Sequence, residues 1–399
     1  VDYYDHSAQA EGWGTDFRRN MGTANDAYGK YATELFTEEA VQLVLEHDAQ
    51  QPLFLYLAHL AVHSANSYAP LQAPADAVEK FSYINDLNRR TFAGMLSKLD
   101  DSVGEVVAAL ELRGMLENSI IVFTTDNGGP AAGFNLNHAS NWPLRGVKDS
   151  LWEGGVRGAG FVWSPLIKQS PGTVSRTLMA IEDWLPSLYA AAGGDPDDLP
   201  EMDGVNMWPS MSTGAPSARI QLLHNIDPIS HNAGLRVGDW KLVHNPAGQW
   251  VDWNGWYGPA GRNCTVPECQ LTTLLQAAKS SLAGRAALRI NSQAFAGILQ
   301  TREHAMVNCT TAPDGPPSLC RKSSHPCLFH IPSDPCELQD LSAEHPALLQ
   351  VMMHLLQLYN STAVPAANRP SDAAANPKYW NYTWNNWMDY PEPVGLNTN

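Results

Sequence analysis

Residues 123 to 158 bring together side chains that could bind a metal ion and an anion. The stretch reads FTTDNGGPAAGFNLNHASNWPLRGVKDSLWEGGVRG. Its apolar start ends in Asp126 and Asn127, whose carboxylate and amide oxygens are hard ligands suited to Ca²⁺ or Mg²⁺. Gly128 and Gly129 then let the backbone turn sharply and approach a ligand closely. Lys148, in the segment LRGVK, is a candidate for contacting an anion.

His63 is the second candidate for this chemistry, and it follows the apolar run LAHLAV. A divalent cation, a lysine and a histidine together form a receptor for a tetrahedral oxyanion. Each residue also has a simpler interpretation. An Asp-Asn-Gly sequence is a common turn without metal, a lone lysine is usually solvated, and a histidine can simply pack.

The predicted elements place these residues at one edge of a sheet. We expect apolar strands at 52–58, 119–125 and 160–165, and a long helix between the first two, at 86–112. Strand, helix and strand at these lengths form a crossover unit, which predicts a mostly parallel sheet covered on both faces. Ligands of such sheets bind beyond the carboxyl ends of the strands. His63, Asp126 and Asn127 all follow strand ends, so we expect them to share one rim.

The sequence changes character after about residue 232. The stretch AGLRVGDWKLVHNPAGQW alternates as antiparallel strands do, and HPALLQVMMHLLQLY reads as an amphipathic helix. We therefore predict two domains: residues 1–232, an α/β domain with a central sheet, and residues 233–399, a small α+β domain with an antiparallel sheet. The tail from about Pro365 is expected to be extended.

Composition excludes several classes of protein. The chain has 399 residues, 44% hydrophobic content and a formal net charge of −16, which argues against nucleic acid or an anionic membrane as the main partner. No apolar run is long enough to span a bilayer. Six cysteines and four Asn-x-Ser/Thr sites in the last third predict a disulfide-bonded glycoprotein of the secretory route, although free thiols and chance sites would give the same pattern. The cysteines are Cys264, Cys269, Cys309, Cys320, Cys327 and Cys336, and the sites are Asn263, Asn308, Asn360 and Asn381.

Several segments together resemble the sulfatase family, and within it the arylsulfatase B group (N-acetylgalactosamine-4-sulfatase) and its relatives. They are PLFLYLAHLAVH, FTTDNGG, NWPLRGVKDSLWEGGVRGAGFVWSP, ARIQLLHNIDP and GLRVGDWKLV. The resemblance implies an alkaline-phosphatase-like α/β sandwich and hydrolysis of sulfate esters of saccharides, including glycosaminoglycans, or of aryl sulfates. It also implies that Asp126 and Asn127 bind one Ca²⁺, that Lys148 contacts the sulfate, and that His63 contacts the sulfate and protonates the leaving oxygen.

One departure from the family pattern concerns the nucleophile. Sulfatases of this type use a formylglycine made from the cysteine of a C-x-P-x-R motif, and none of the six cysteines begins one. SLAGR at 281–285 fits only the serine version, in a predicted helix, so we regard it as a chance match. We therefore expect an N-terminally truncated sequence that is inactive alone, from a lysosomal or secreted enzyme. The alternatives are a non-catalytic sulfatase-like glycan-binding protein and another hydrolase of the alkaline phosphatase superfamily. The sequence does not predict the oligomeric state.

Overall fold

The computed structural model describes residues 2–10, 12–167, 172–258, 265–309, 319–320 and 325–389. Within these residues, the α-helices are α1 Ala32–Glu46, α2 Ala75–Glu79, α3 Leu87–Leu112, α4 Glu153–Val156, α5 Trp184–Ala191, α6 Trp208–Thr213, α7 Leu271–Ser280, α8 Leu282–Ile290, α9 Ile298–Ala305 and α10 Pro346–Ser361. The strands are β1 Ser7–Gln9, β2 Trp13–Thr15, β3 Arg18–Arg19, β4 Gly22–Thr23, β5 Ile121–Thr124, β6 Gly160–Trp163, β7 Gln221–Asp227, β8 Asn232–Val237, β9 Trp240–His244 and β10 Cys327–His330.

The long helix α3 organises the first part of the molecule. It begins after Asp86, whose side chain accepts a hydrogen bond from the backbone N–H of Arg89 as an N-cap. It ends at Leu112, just before Gly114, which adopts a left-handed φ of 66°. Helices α1 and α8 pack against it. The predicted helix at 86–112 is therefore confirmed, and its core cluster includes Val44, Val107, Leu110, Leu116 and Ala286.

The predicted parallel pairing of 52–58 with 119–125 is wrong for the residues that the structure describes. β5 pairs instead with β6, in antiparallel register, with Phe123 opposite Phe161. Residues 52–58 form no strand. Only part of this segment faces the core: Leu55 packs against the helical cluster, whereas Phe54 is 78% exposed. The apolar run at 52–58 predicted a strand buried on both faces, whereas only one face of this segment is buried in the structure.

The C-terminal sheet has four antiparallel strands in the order β10-β9-β8-β7. Helix α10 packs on it, which confirms the predicted amphipathic helix, and the buried side chains between them are Leu235, Leu242, Leu328, Met352 and Leu356. Burial of each such leucine or methionine stabilises the fold by about 1.5–3 kcal/mol. The sheet includes β7, which lies ahead of the expected boundary at residue 232. The division into two domains remains a prediction.

The cysteines of the described region are oxidised, as the sequence predicted. Disulfide bonds join Cys309 to Cys336 and Cys320 to Cys327, and Cys269 is also disulfide-bonded. Among the predicted glycosylation sites, Asn308, Asn360 and Asn381 are exposed, as a modified asparagine must be. Cys264 and Asn263 lie outside the described residues. In the part of the chain that the structure describes, no helix has the length and apolar character needed to cross a bilayer.

Candidate functional site

The structure brings His63 and Lys148 into contact, although 85 positions separate them in the sequence. Lys148 Nζ lies 3.3 Å from His63 Nε2. The other ring nitrogen, Nδ1, lies 2.7 Å from the carbonyl oxygen of Ser64. A carbonyl can only accept, so Nδ1 carries the proton and Nε2 accepts from the Lys148 ammonium group. His63 is exposed and Lys148 is partly exposed, so this pair is open to solvent.

His63 is held by a tight turn and by a buried tyrosine. Its backbone N–H donates to the Leu60 carbonyl over 2.9 Å. The Tyr3 hydroxyl donates to the His63 carbonyl over 2.8 Å, and its ring stacks on Tyr31 with centroids 5.2 Å apart. Burial raises the pKa of the Tyr3 phenol, so it remains a hydrogen-bond donor at any physiological pH. The backbone that carries His63 is therefore fixed at both ends of its turn.

Lys148 is held by the turn that contains the two glycines. Its backbone N–H donates to the Gly129 carbonyl over 3.2 Å, and the Asn141 side chain both accepts from and donates to the Gly129 backbone, over 2.8 and 2.7 Å. The preceding Gly128 packs so closely that a Cβ atom would lie 1.7 Å from the carbonyl oxygen of Gly154. Only glycine allows this approach.

Asp126 and Asn127 lie on the same turn, immediately before these glycines. Asp126 is exposed, and its Oδ1 accepts from the Asn127 backbone over 2.9 Å. The Asn127 amide group donates to the Gly128 carbonyl over 2.8 Å. One oxygen of each side chain, Asp126 Oδ2 and Asn127 Oδ1, has no hydrogen-bond partner among the described residues. Both are chemically suited to Ca²⁺.

Two oxygen donors are fewer than the six to eight that Ca²⁺ takes in proteins. Among the residues that the structure describes, no group of three or more His, Cys, Asp or Glu side chains is arranged to hold a metal. The donor set therefore fits one part of a calcium site. Further ligands would come from water, from a substrate or from outside the described residues.

A buried ionic network holds helix α4, which directly follows the loop that carries Lys148. Lys241 on β9 lies 2.9 Å from Glu153 Oε1 on α4 and 2.8 Å from Glu337 Oε1, and all three side chains are buried. The Glu153 backbone N–H also donates to Glu337 Oε2 over 2.7 Å. Burial raises the pKa of Glu337 to about 7, and the Glu153 charge adds to this. Burial alone would raise the pKa of Glu153, but the charge and the hydrogen bond of Lys241, together with the charges of His224 and Arg236, lower it overall.

Arg145 joins the same loop to the C-terminal part of the chain. It is fully buried, with its guanidinium 3.6 Å from the ring centre of Trp152 and 4.7 Å from that of Trp256. Its Nη1 donates to the Glu337 carbonyl over 3.0 Å and its Nε to the Asn254 carbonyl over 2.8 Å. Burial lowers the pKa of Arg145 to about 10, so it still carries its charge at neutral pH.

Sequence reasoning missed the roles of Arg145, Glu153, Lys241 and Glu337. A signal was present for two of them. Lys241 stands in the alternating strand WKLVH, and Glu153 stands between a tryptophan and two glycines, so both charges sit where apolar neighbours predict burial. Nothing in the sequence marks Glu337 as their partner, because it lies in a cysteine-containing loop of ordinary polarity.

Comparison with known proteins relates this chain to sulfatases. The sulfatase family profile matches residues 2–194. Arylsulfatase J of Mus musculus is 36% identical over 396 residues, which is 97% of this chain and 58% of that protein. N-acetylgalactosamine-6-sulfatase of Mus musculus is 29% identical over 239 residues, 60% of this chain and 41% of that protein. The chain thus spans less than two thirds of the length of either relative.

Solved structures show the same fold at low sequence identity. The crystal structure of Ps i-CgsB has a TM-score of 0.57 at 23% identity, covering 87% of this chain and 57% of that one. A structure from work on glycosaminoglycan metabolism in Bacteroides thetaiotaomicron has a TM-score of 0.53 at 19% identity, covering 85% and 57%. These likenesses confirm the predicted alkaline-phosphatase-like α/β class.

Proposed function

The chain belongs to the sulfatase family, and from that premise we propose that it provides the sulfate-contacting part of a sulfuric ester hydrolase. Its substrates would be sulfated saccharides, including glycosaminoglycans, or aryl sulfates. The observation that carries this proposal is the contact between Lys148 and His63. The Lys148 ammonium group donates hydrogen bonds, and His63 Nε2, 3.3 Å away on the same exposed rim, becomes a donor once it is protonated. Such a pair suits an anion with several oxygens.

Lys148 and His63 would divide the work of binding the ester and releasing the alcohol. A sulfate oxygen that takes over the Lys148 hydrogen bond leaves His63 Nε2 free to be protonated. His63 takes that proton from solvent. As the oxygen of the nucleophile bonds to sulfur and the ester sulfur–oxygen bond breaks, the imidazolium would donate the proton to the leaving alkoxide oxygen, which is general acid catalysis. The Lys148 ammonium group would stabilise the negative charge on the transferring group. The Ser64 carbonyl keeps Nδ1 protonated throughout and so fixes the orientation of the ring.

Asp126 and Asn127 would hold one Ca²⁺ through the two oxygens that make no hydrogen bond to the described residues. When bound, the ion would supply positive charge that lowers the pKa of a nucleophilic hydroxyl and neutralises sulfate oxygens. We propose a formylglycine as the source of that hydroxyl. Since these 399 residues contain no C-x-P-x-R motif, it would have to be supplied from outside them.

We further propose that the protein follows the secretory route and is glycosylated, and that it works in lysosomes or after secretion. The disulfide bonds Cys309–Cys336 and Cys320–Cys327 support an oxidising compartment. The exposed asparagines at three of the four Asn-x-Ser/Thr sites support glycosylation.

Sulfate release tests the proposal. The longest product of the gene that carries a C-x-P-x-R motif should release sulfate from 4-methylumbelliferyl sulfate or from N-acetylgalactosamine 4-sulfate. Lys148→Ala should lower turnover roughly 10²–10³-fold, as removal of one preorganised donor does. Lys30→Ala, at an exposed lysine before α1, is the matched control and should not change turnover.

Two outcomes would contradict the proposal. One is full turnover by Lys148→Ala. The other is no sulfate release by a parent protein whose aldehyde has been confirmed by mass spectrometry. The 399-residue chain itself should bind sulfate esters without releasing sulfate. If the gene encodes no C-x-P-x-R motif, this binding is the whole activity and the protein is a non-catalytic sulfated-glycan binder.

A further inference from the structure

Three aromatic rings stack beside the candidate site. Phe134 lies on Trp253, with ring centroids 4.5 Å apart and planes at 26°. Trp253 in turn lies on Trp250, with centroids 5.1 Å apart and planes at 25°. Trp250, at one end of this aromatic ladder (Phe134, Trp253 and Trp250), is 52% exposed. An exposed indole held by a second indole is a rigid apolar surface next to solvent.

Both sides of the aromatic ladder are tied to the neighbours of the proposed sulfate-contacting pair. Phe134 belongs to the 130–140 segment, which leaves the glycine turn and returns to it at Asn141. In that segment the Asn137 side chain donates to the carbonyl of Val62, the residue before His63, over 3.2 Å. On the other side, the Gly255 carbonyl accepts from the backbone N–H of Gly146, two residues before Lys148, over 2.9 Å.

The backbone around Phe134 is held in an unusual conformation. Gly133 has a φ of 91°, and the next two residues after Phe134, Asn135 and Leu136, have φ values of 56° and 52°. Non-glycine residues rarely adopt left-handed φ, and two in succession persist only where the surroundings impose them. Leu136 is also 55% exposed, so burial of its side chain does not explain the conformation. The outcome of this turn is the placement of Phe134 on Trp253.

We propose that the aromatic ladder is a subsite for a pyranose ring next to the sulfated residue of a saccharide substrate. This inference rests on the proposed function and narrows it from aryl sulfates toward oligosaccharides. The C–H face of a pyranose is apolar and slightly positive, and it packs on the negative face of an indole. Exposed polar side chains, Asn135 and Asp252, adjoin the rings along the chain and can meet sugar hydroxyls.

The aromatic ladder is connected to the loop that carries Lys148, and this connection favours a saccharide ring over a protein partner as the ligand of the ladder. A saccharide whose sulfate is bound by Lys148 and His63 would extend over the 130–140 and 250–255 segments, which are hydrogen-bonded to the chain neighbours of that pair. The net charge of −16 gives a polyanion no general attraction to the molecule, so an oligosaccharide needs local apolar contact in addition to the cationic pair.

Equilibrium binding to the 399-residue chain tests this subsite with two probes: chondroitin sulfate hexasaccharides that carry 4- and 6-sulfates, and inorganic sulfate. Trp250→Ala should weaken hexasaccharide binding roughly tenfold and leave inorganic sulfate binding unchanged. Trp250→Phe should restore most of the loss. Trp13→Ala, at a tryptophan that is 50% exposed outside the aromatic ladder, is the control and should bind like the parent. Phe134→Leu should repeat the pattern if Trp250→Ala does not fold.

The subsite is overturned if Trp250→Ala and Phe134→Leu bind the hexasaccharides as the parent does, or if they weaken both probes equally. It is also overturned if the parent binds hexasaccharides no better than inorganic sulfate. Failure of the proposed function gives a different result: Lys148→Ala would then leave the affinity for inorganic sulfate unchanged.

Discussion

At the scale of single residues, the proposed chemistry depends on the hydrogen bond from Lys148 to His63. The sequence singles out His63, Asp126, Asn127 and Lys148, and the resemblance assigns them roles. It does not predict that Lys148 donates to His63, because that hydrogen bond depends on two loops folding toward each other. The predicted shared rim of His63 with Asp126 and Asn127 depended on two parallel strands, and that pairing is wrong. Lys148 and His63 nevertheless lie in contact. Their roles in calcium binding and catalysis remain predictions.

Gly128 offers a test of how closely the glycine turn must approach the Lys148 loop. Gly128→Ala places a Cβ atom 1.7 Å from the Gly154 carbonyl oxygen, so one of the two backbones must move. We expect a loss of at least about 2 kcal/mol in the free energy of unfolding, measured by urea titration, because backbone atoms cannot relax as side chains do.

The control for this substitution is Gly22→Ala in β4. Its nearest neighbour, the Arg19 carbonyl oxygen, would lie 3.8 Å from the new Cβ, which is an ordinary contact. It should change stability by no more than about 1 kcal/mol in either direction. Equal effects of the two substitutions would show that the close approach at Gly128 does not constrain the fold.

At the scale of elements, the periodicity of apolar residues predicted the long helix correctly, whereas the predicted strand pairing was wrong. The spacing of apolar residues located α3 to within a residue, because this signal is local. Thr37 illustrates the limit of local signals: a threonine before two glutamates is typical of a helix start, yet α1 begins at Ala32. The Thr37 hydroxyl instead donates to the Thr33 carbonyl and lies 2.7 Å from the Ser102 hydroxyl of α3, with which it shares a hydrogen bond. Tertiary packing decided its position.

The ionic network between α4, β9 and the loop at Glu337 makes stability depend on pH. The pKa of Glu337 is raised to about 7 in the folded protein, above its unfolded value of 4.5. The folded state therefore gains a proton at higher pH than the unfolded chain, and this group stabilises the fold as pH falls from about 7 toward 4.5. Relative to Glu337→Gln, the parent should gain stability on the order of 3 kcal/mol over that interval, since one pKa unit is worth about 1.4 kcal/mol.

The measurement is urea unfolding of parent and Glu337→Gln at pH 7.5, 6.5 and 5.5. The quantity to compare is the difference in unfolding free energy between the two proteins, because the effect of His224 on stability as pH falls is opposite to that of Glu337. Burial lowers the pKa of His224 to about 3. As pH falls below 6.5, the unfolded chain therefore takes up a proton at His224 that the folded protein does not, and the fold loses stability. That effect is shared by both proteins and cancels to first order. A difference that stays constant or shrinks on acidification would contradict the raised pKa of Glu337.

At the scale of the whole molecule, the C-terminal part supports the loop that carries Lys148. Lys241 pairs with both Glu153 and Glu337, and the backbone carbonyl of Glu337 accepts from Arg145. The sequence predicted an antiparallel C-terminal sheet but gave it no part in the site. The link could not be foreseen, since it joins residues up to 192 positions apart through buried charges that have no periodic pattern.

The central claim is that Lys148 and His63 act as one receptor for the sulfate group. A double-mutant cycle on binding of 4-methylumbelliferyl sulfate to the 399-residue chain tests this most directly, using Lys148→Ala, His63→Ala and the double variant. We predict that each single substitution weakens binding at least fivefold, and that the double variant binds little worse than the weaker single one. Losses that simply multiply, or a parent that does not bind the ester, would contradict the account.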